Sequence, residues 1–476
     1  MAGETGKVKL STNIYYGFGS VAFGVKNNGF NYFLLAFYSQ VMGLRPSIAS
    51  LALLIALIFD AVSDPLVGYI SDNWHSKWGR RHPFMYFAAL PVAVGYFFLW
   101  NPPSSVSNIS LFLYLVVLSI IVRICITVFE IPSSALVAEL TEDYDQRTSM
   151  LSFRYFFGWY GGLTMAVMAW LVFLKATDKY PIGFLNPEGW GEYGAFASVL
   201  IFVSIMVSSI GTHKHIPHLK KPPAKAPFNA RRTYRDLVET FSNRSFLVLF
   251  VTIVITAFAG GIEMTLNVYF TRYFWRLTEA QISLLPISNF VSAALALILT
   301  PILASGRDKK KVLISTFLFA VVFGQMPITL RLIGFFPGNG HPALLPILVV
   351  HSLVVVTVVI MVGIIISSML ADIVEDSQRK TGRRSEGLLF AAYGFSGKAI
   401  GGFGVLGAGF ILELIRFPVK TAPDKIDPRI LTNLGLLVVT ITVAFYLLSV
   451  FSSSFYRITR EKHAENLQRL CEEQLS

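Results

Sequence analysis

Residues 47–81 read SIASLALLIALIFDAVSDPLVGYISDNWHSKWGRR, and they show the pattern on which the rest of the chain is built. Residues 47–71 are almost entirely apolar, and a helix needs about 20 such residues to cross the hydrocarbon core of a bilayer. A polar loop follows, with the basic cluster Gly79-Arg80-Arg81 at its end. The stretch predicts a membrane-spanning helix whose end returns to water.

The composition extends this prediction to the whole chain. Of its 476 residues, 54% are hydrophobic and 14% are charged, whereas soluble proteins carry about 25% charged residues. Two cysteines cannot form a disulfide framework. Twelve apolar segments are long enough to span, and they cover 14–42, 47–71, 84–101, 109–138, 150–174, 192–211, 246–271, 280–304, 311–335, 343–369, 387–415 and 430–453. We therefore predict an all-α polytopic membrane protein with twelve transmembrane helices.

The basic residues predict how the chain lies in the membrane. Of 40 lysines and arginines, 26 fall on the side that holds both termini, and 10 fall on the other side. Positive charge is retained in the cytoplasm, so we expect a multi-pass protein of the plasma (inner) membrane with both termini cytoplasmic. The net charge of +12 does not indicate nucleic-acid binding, because these residues sit in short clusters between apolar segments.

The two halves of the chain repeat each other weakly. Gly79-Arg80-Arg81 follows the second span, and the basic run 306–311 follows the eighth. Six spans on either side of a basic linker are typical of transporters built from repeats. The pattern predicts two pseudo-symmetric six-helix bundles, as in the major facilitator fold. The predicted domains are the bundles 1–211 and 246–455, the cytoplasmic linker 212–245 and the tail 456–476.

Two acids in the second span are the first candidate site. Asp60 and Asp64 are four residues apart, so they point the same way on a helix. Two carboxylates in a medium of low dielectric cannot both stay ionised without a proton or a cation between them. Ser63 adds a hydroxyl, and oxygen ligands suit a hard ion such as Na⁺, or a proton. The alternative is a structural pair that a basic residue neutralises.

Spans 4 and 5 supply a second candidate site. Arg123, Thr127 and Glu130 share one helical face, and Pro132 loosens the helix beyond them. Arg154 opens span 5. A buried glutamate and arginine on adjacent helices can clamp a sugar through its hydroxyl groups, and we place Arg123 in the same cavity. The alternative is a closed Glu–Arg ion pair that only joins the helices.

Three other spans carry polar residues that are costly in a membrane. Lys398 in span 11 needs an anion, and we expect it to reach Asp60 or Asp64 and to couple cation binding to movement. The polar residues Lys26, Asn27 and Asn28 of span 1 are predicted to line the substrate cavity, or else to join helices. Glu263 of span 7 is a further candidate for substrate contact, beside Gly260-Gly261.

These motifs resemble the glycoside–pentoside–hexuronide:cation symporters, the family of the melibiose carrier. The resemblance rests on four segments, 16–28, 60–80, 127–157 and Lys398. It implies that Asp60, Ser63, Asp64 and Thr127 form the cation site, and that Glu130, Arg154 and the Lys26 region contact sugar. Ser63 stands where the melibiose carrier has Asn, so the resemblance leaves Na⁺ and H⁺ open.

The predicted function is cation-coupled symport of a sugar or glycoside by alternating access. A lysolipid or other amphiphile symporter of the same fold is the alternative. A membrane enzyme or receptor is disfavoured, since the sequence contains no catalytic constellation and no large external domain. We expect no cofactor beyond the coupling ion, no resident metal, a small-molecule substrate, the bilayer as surroundings, and a monomer.

Overall fold

The computed structural model describes residues 9–103, 106–141, 143–218, 243–381, 386–462 and 465. Within these ranges the side chains of 144, 145, 148, 218, 375, 377–381 and 386–399 are not described. The described residues form helices and no strands. We number the α-helices α1 Leu10–Phe18, α2 Ser20–Asn28, α3 Leu34–Ala36, α4 Pro46–Asp72, α5 His82–Trp100, α6 Asn108–Leu140, α7 Tyr144–Met168, α8 Pro187–His213, α9 Arg244–Tyr269, α10 Glu279–Ala304, α11 Lys309–Gly324, α12 Met326–Leu332, α13 Leu344–Thr381, α14 Glu386–Leu414 and α15 Pro428–Ser454.

Ten continuous helical stretches in the described part of the chain are long and apolar enough to cross a membrane. They are Pro46–Asp72, His82–Trp100, Asn108–Leu140, Ser149–Phe173, Pro187–His213, Arg244–Phe274, Glu279–Ala304, Lys309–Leu332, Leu344–Val374 and Pro428–Ser454. Large apolar side chains stay exposed on them, among them Phe87 at 70% and Val322 at 72%. Helices that are apolar on every face belong in lipid, so the predicted all-helical membrane fold is confirmed.

The first and the eleventh predicted spans are also helical, but they are not among these ten stretches. The first begins as α1 and α2 and continues through two π-helical turns, Gly29–Phe33 and Phe37–Val41, with α3 between them. Such turns insert an extra residue and often lie at functional sites. The eleventh predicted span is α14, whose described side chains begin at residue 400. The count of twelve spans stays a prediction.

The described helices fall into two compact units. The first contains α1 to α8, and the second contains α9, α11 to α15 and most of α10. The predicted limits 1–211, 212–245, 246–455 and 456–476 stay predictions, because residues 219–242 of the linker and most of the tail lie outside the described residues.

Packing inside the two units is alike at four pairs of helices, which supports the predicted internal repeat. In the first unit α2 packs on α7 and α8, and α5 packs on α6 and α8. In the second unit α9 packs on α14 and α15, and α11 packs on α13 and α15. Spans 1, 3, 4, 5 and 6 therefore correspond to spans 7, 9, 10, 11 and 12. Close approach of α2 to α7 requires Gly24, since a Cβ there would overlap the carbonyl oxygen of Gly158.

A charged clamp is also repeated. In the first unit Arg80 and Arg81, in the loop before α5, bind the carboxylate of Glu139 near the end of α6, at 2.7 and 2.8 Å. In the second unit Lys309, at the start of α11, binds both oxygens of Asp372 on α13, at 2.7 and 2.9 Å. The first clamp ties α6 to the loop before α5, and the second ties α13 to the first residue of α11.

Candidate functional site

Helix α4 presents Asp60 and Asp64 to the interior of the first unit. Asp60 is 2% exposed, and Ser63 is also buried. The Ser63 hydroxyl donates to the backbone oxygen of Asp60 at 2.9 Å, so its own oxygen can still act as an acceptor or ligand. Pro65 lies inside the helix and has no N–H, which leaves the carbonyl four residues earlier without its helical donor. That carbonyl belongs to Ala61, which lies between the two acids in the sequence.

Helix α6 brings a hydroxyl and a guanidinium to these acids. Thr127 Oγ1 lies 3.0 Å from Asp60 Oδ1 and 2.9 Å from Asp64 Oδ1. Arg123 Nη1 lies 3.1 Å from Asp60 Oδ2, and its guanidinium stacks over the Phe30 ring at 4.6 Å. We name Asp60, Ser63, Asp64, Arg123 and Thr127 the ion cluster.

The ion cluster has the chemistry of a small-cation site. Its donors are carboxylate and hydroxyl oxygens, which suit a hard ion or a proton. The Thr127 hydroxyl carries one proton, yet it lies within hydrogen-bond distance of two carboxyl groups. Either that proton is shared, or one carboxyl group supplies the second one. The oxygen donors by themselves do not distinguish Na⁺ from H⁺.

Arg123 has a partner that its predicted role did not include. The sequence placed it with the substrate and gave Lys398 the task of meeting the acids, whereas the structure shows Arg123 in an ion pair with Asp60. The spacing of four residues had already grouped Arg123 with Thr127 on one face of α6, but it did not identify Arg123 as the basic partner of Asp60. The side chain of Lys398 lies outside the described residues, so its coupling role stays a prediction.

The remaining candidate residues of the first unit lie on three helices, and we name them the polar wall: Lys26, Asn27 and Asn28 on α2, Glu130 on α6 and Arg154 on α7. Arg154 donates from Nη1 to the Ser133 hydroxyl at 3.0 Å and from Nη2 to the backbone oxygen of Glu130 at 3.4 Å. Its guanidinium faces the ring of Tyr16 at 5.8 Å. The structure therefore brings Arg154 to the backbone of α6 at Glu130, and the predicted contact of these two side chains with a sugar stays a prediction.

The span 1 residues of the polar wall lie on α2. Lys26 is 2% exposed, and its ammonium lies 4.9 Å from the centre of the Phe23 ring. Asn28 donates to the Gly24 carbonyl at 3.4 Å, one turn earlier on the same helix. Asn27 is partly exposed. Their predicted contact with substrate stays a prediction.

Glu263 belongs to the second unit, where it has two partners that the sequence did not identify. Gln325 Nε2 donates to one carboxylate oxygen and the Tyr446 hydroxyl donates to the other, both at 2.6 Å. No described residue forms an ion pair with Glu263. Both oxygens accept hydrogen bonds from neutral groups, which orients the carboxyl group firmly.

A helix break places Gln325 there. Helix α11 ends at Gly324 and α12 begins at Met326, followed by Pro327. Because Pro327 has no N–H, the Phe323 carbonyl loses its helical donor. His351 of α13 replaces that donor, with Nε2 at 3.0 Å from the Phe323 oxygen and 3.2 Å from the Gly324 oxygen. The sequence Gly324-Gln-Met-Pro327 was the available signal for this break.

Comparison with known proteins identifies the family. The model of the family described as MFS/sugar transport protein matches residues 15–460. The chain belongs to this family. The proteins of this major facilitator family are membrane transporters and not enzymes, so the enzyme and receptor alternatives are set aside.

Three relatives and one solved structure illustrate this membership. An uncharacterised symporter, sll1374, of Synechocystis is 24% identical over 98% of this chain and 97% of its own. The isoprimeverose transporter of Lactiplantibacillus pentosus is 23% identical over 90% of this chain and 84% of its own. The sodium-dependent lysophosphatidylcholine symporter 1 of Xenopus tropicalis is 27% identical over 32% of this chain and 29% of its own. The xylose transporter XylE from E. coli superposes with a TM-score of 0.66 at 15% identity, over 96% of this chain and 98% of its own, and so shares its fold.

Proposed function

We propose that this MFS/sugar transport family protein couples the uptake of a sugar or glycoside to the movement of Na⁺ or H⁺. The observation that carries the proposal is the arrangement on α6. Thr127 of the ion cluster and Glu130 of the polar wall are three residues apart, which is less than one helical turn. A cation bound at Thr127 and a sugar bound at Glu130 would both contact the same rigid helix, α6.

The polar wall supports a sugar as cargo. Carboxylate and guanidinium groups accept and donate hydrogen bonds, and sugar hydroxyl groups do both. In this proposal Lys26, Asn27, Asn28, Glu130, Arg154 and Glu263 contact the substrate, and Lys398 couples it to the ion cluster. The similarity to a transporter named for isoprimeverose supports the same class of cargo.

The proposal also includes the setting of the protein. The excess of basic residues in the loops that share a side with the termini supports cytoplasmic termini and a location in the inner membrane. We propose a monomer, because each candidate cluster is formed within one chain.

A lysolipid remains the second candidate for the cargo. The observation that favours it is the similarity of one third of the chain to a lysophosphatidylcholine symporter. An acyl chain needs an apolar cleft beside the polar groups, whereas a sugar does not.

Flux in proteoliposomes tests the proposal. Purified protein is reconstituted, and entry of labelled glycosides, pentosides and lysophosphatidylcholine is followed with a Na⁺ gradient, a pH gradient or neither. We expect gradient-driven accumulation of a sugar or glycoside. Accumulation of the lysolipid alone would select the second candidate, and no flux of any of these solutes would refute both.

Glu130→Gln tests the polar wall. Glutamine keeps the size of the side chain but removes the charge that strengthens a hydrogen bond to a sugar hydroxyl. We expect substrate binding to weaken by about 1–3 kcal/mol, measured by titration calorimetry on purified protein. Glu192→Gln, at an exposed acid of α8, is the matched control and should leave the affinity unchanged. Equal affinities in all three proteins would place the sugar elsewhere.

A further inference from the structure

Arg123 is the one feature of the ion cluster that the proposed function does not use. Its guanidinium and the carboxylate of Asp60 are both sealed from solvent, at 6% and 2% exposure. The Phe30 ring covers the guanidinium from one side. A permanent positive charge is therefore built into a site whose oxygens suit a cation, and an arginine cannot lose that charge in a protein.

The guanidinium occupies one of the two Asp60 oxygens that a metal ion would use. A hard cation such as Na⁺ is held by several oxygens at once, each in direct contact with the ion. Asp60 Oδ2 faces Arg123 Nη1 at 3.1 Å, and Asp60 Oδ1 faces Thr127. A metal ion that bridges Asp60 and Asp64 would therefore lie close to the guanidinium, in a dry environment where like charges repel strongly.

We infer that Arg123 acts as a tethered cation that excludes metal ions from the ion cluster and makes this transporter independent of Na⁺. The inference rests on the proposed ion site and adds the residue that sets its ion specificity. Arg123 takes over the task that a bound metal ion would otherwise have, which is to neutralise Asp60. No metal ion then gains enough by binding there to displace it.

The inference predicts a gain of function when the charge is removed. In Arg123→Gln the Asp60 carboxylate loses its ion-pair partner, and space opens beside its Oδ2. The other oxygen of Asp60 shares the Thr127 hydroxyl with Asp64, so a cation that enters has two carboxylates and a hydroxyl nearby. An unpaired buried carboxylate is destabilising, so the variant should unfold at a lower temperature in choline or K⁺ salts. Na⁺ or Li⁺ should bind the vacated place and recover part of that loss.

The experiment is thermal unfolding of the purified full-length protein in detergent, with NaCl, LiCl, KCl or choline chloride at equal ionic strength. We expect no difference between the salts for the wild type or for Arg123→Lys, which keeps the charge. Arg123→Gln should show a saturable rise of Tm with Na⁺ or Li⁺ only. The readout is ion binding and needs no cargo, so it is separate from a failure of the flux test above.

Two outcomes would overturn the inference. One is a saturable stabilisation of the wild type by Na⁺, which would show that the ion displaces the arginine. The other is an Arg123→Gln protein that folds and responds to Na⁺ no more than the wild type does. If Arg123→Gln does not fold in any salt, the double variant Asp60→Asn/Arg123→Gln removes both charges. We expect it to fold and to be insensitive to Na⁺, and a Na⁺ response there would place the metal site away from Asp60 and refute the inference.

Discussion

Replacing Asp60 or Asp64 by asparagine is expected to abolish the cation-driven accumulation of substrate. Both carboxyl groups share the Thr127 hydroxyl, so each variant removes a negative charge from the site that should take the coupling ion. Without that charge the ion gains nothing by binding, and its gradient can no longer be used. Exchange of substrate down its own gradient does not need the ion and should continue.

The two variants should differ in stability. Asp60 is the partner of the buried Arg123, so Asp60→Asn leaves an uncompensated guanidinium in the interior. Breaking a buried pair in this way typically costs about 3–5 kcal/mol. We therefore expect Asp60→Asn to unfold at a lower temperature than Asp64→Asn.

Accumulation, exchange and thermal unfolding are measured on the same proteoliposome and detergent preparations. Asp178→Asn, at an exposed acid in the loop after α7, is the matched control and should behave as the wild type does. Accumulation that survives in both interior variants would show that the coupling ion binds elsewhere.

Glu139→Gln should cause the largest loss of stability at the repeated clamps. The side chain of Glu139 is 4% exposed and compensates Arg80 and Arg81 together, whose side chains are 14% and 5% exposed. Arg81 also binds Asp72 and donates to the Ser71 hydroxyl at 3.0 Å, so the arginine cannot leave easily. Loss of the acid leaves two guanidinium groups close together, at an expected cost of about 3–5 kcal/mol.

Asp372→Asn, in the clamp of the second unit, provides the comparison. The side chain of Lys309 there is 33% exposed, so water can solvate its ammonium once the carboxylate is neutral. We expect a clearly smaller drop in Tm than for Glu139→Gln, with both variants measured in the same detergent. A similar drop for the two would mean that the burial of the arginines does not matter.

Much of the fold followed from the sequence, because the bilayer restricts the answer to a few elements. Apolar segments of about 20 residues must be helices in lipid, and basic clusters at matching places in the two halves indicated the repeat. The interruption of the first span was not predicted. The residues after Asn28 are mostly apolar, and nothing in that pattern distinguishes π-helical turns from a regular helix.

The sequence predicted which residues belong to the candidate site, but it did not predict which of them form pairs across helices. The spacing of Asp60, Asp64 and Thr127 fixes which face of each helix they share, and the structure brings these three together. Which basic residue meets Asp60 depends on how the helices are turned against one another, and helical spacing does not contain that information. The partners of Glu263 depend in the same way on the break at Gln325, which turns a polar side chain toward α9.

The placement of Thr127 and Glu130 on one turn of α6 has a thermodynamic consequence. When one rigid element contacts two ligands, each ligand biases the position of that element for the other, and the coupling free energy is the same in both directions. If the ion raises the affinity for the sugar about tenfold, which is about 1.4 kcal/mol, the sugar must raise the affinity for the ion by the same factor. When the cargo is abundant at the site, the transporter would then bind the ion at a lower ion concentration than it needs when the cargo is scarce.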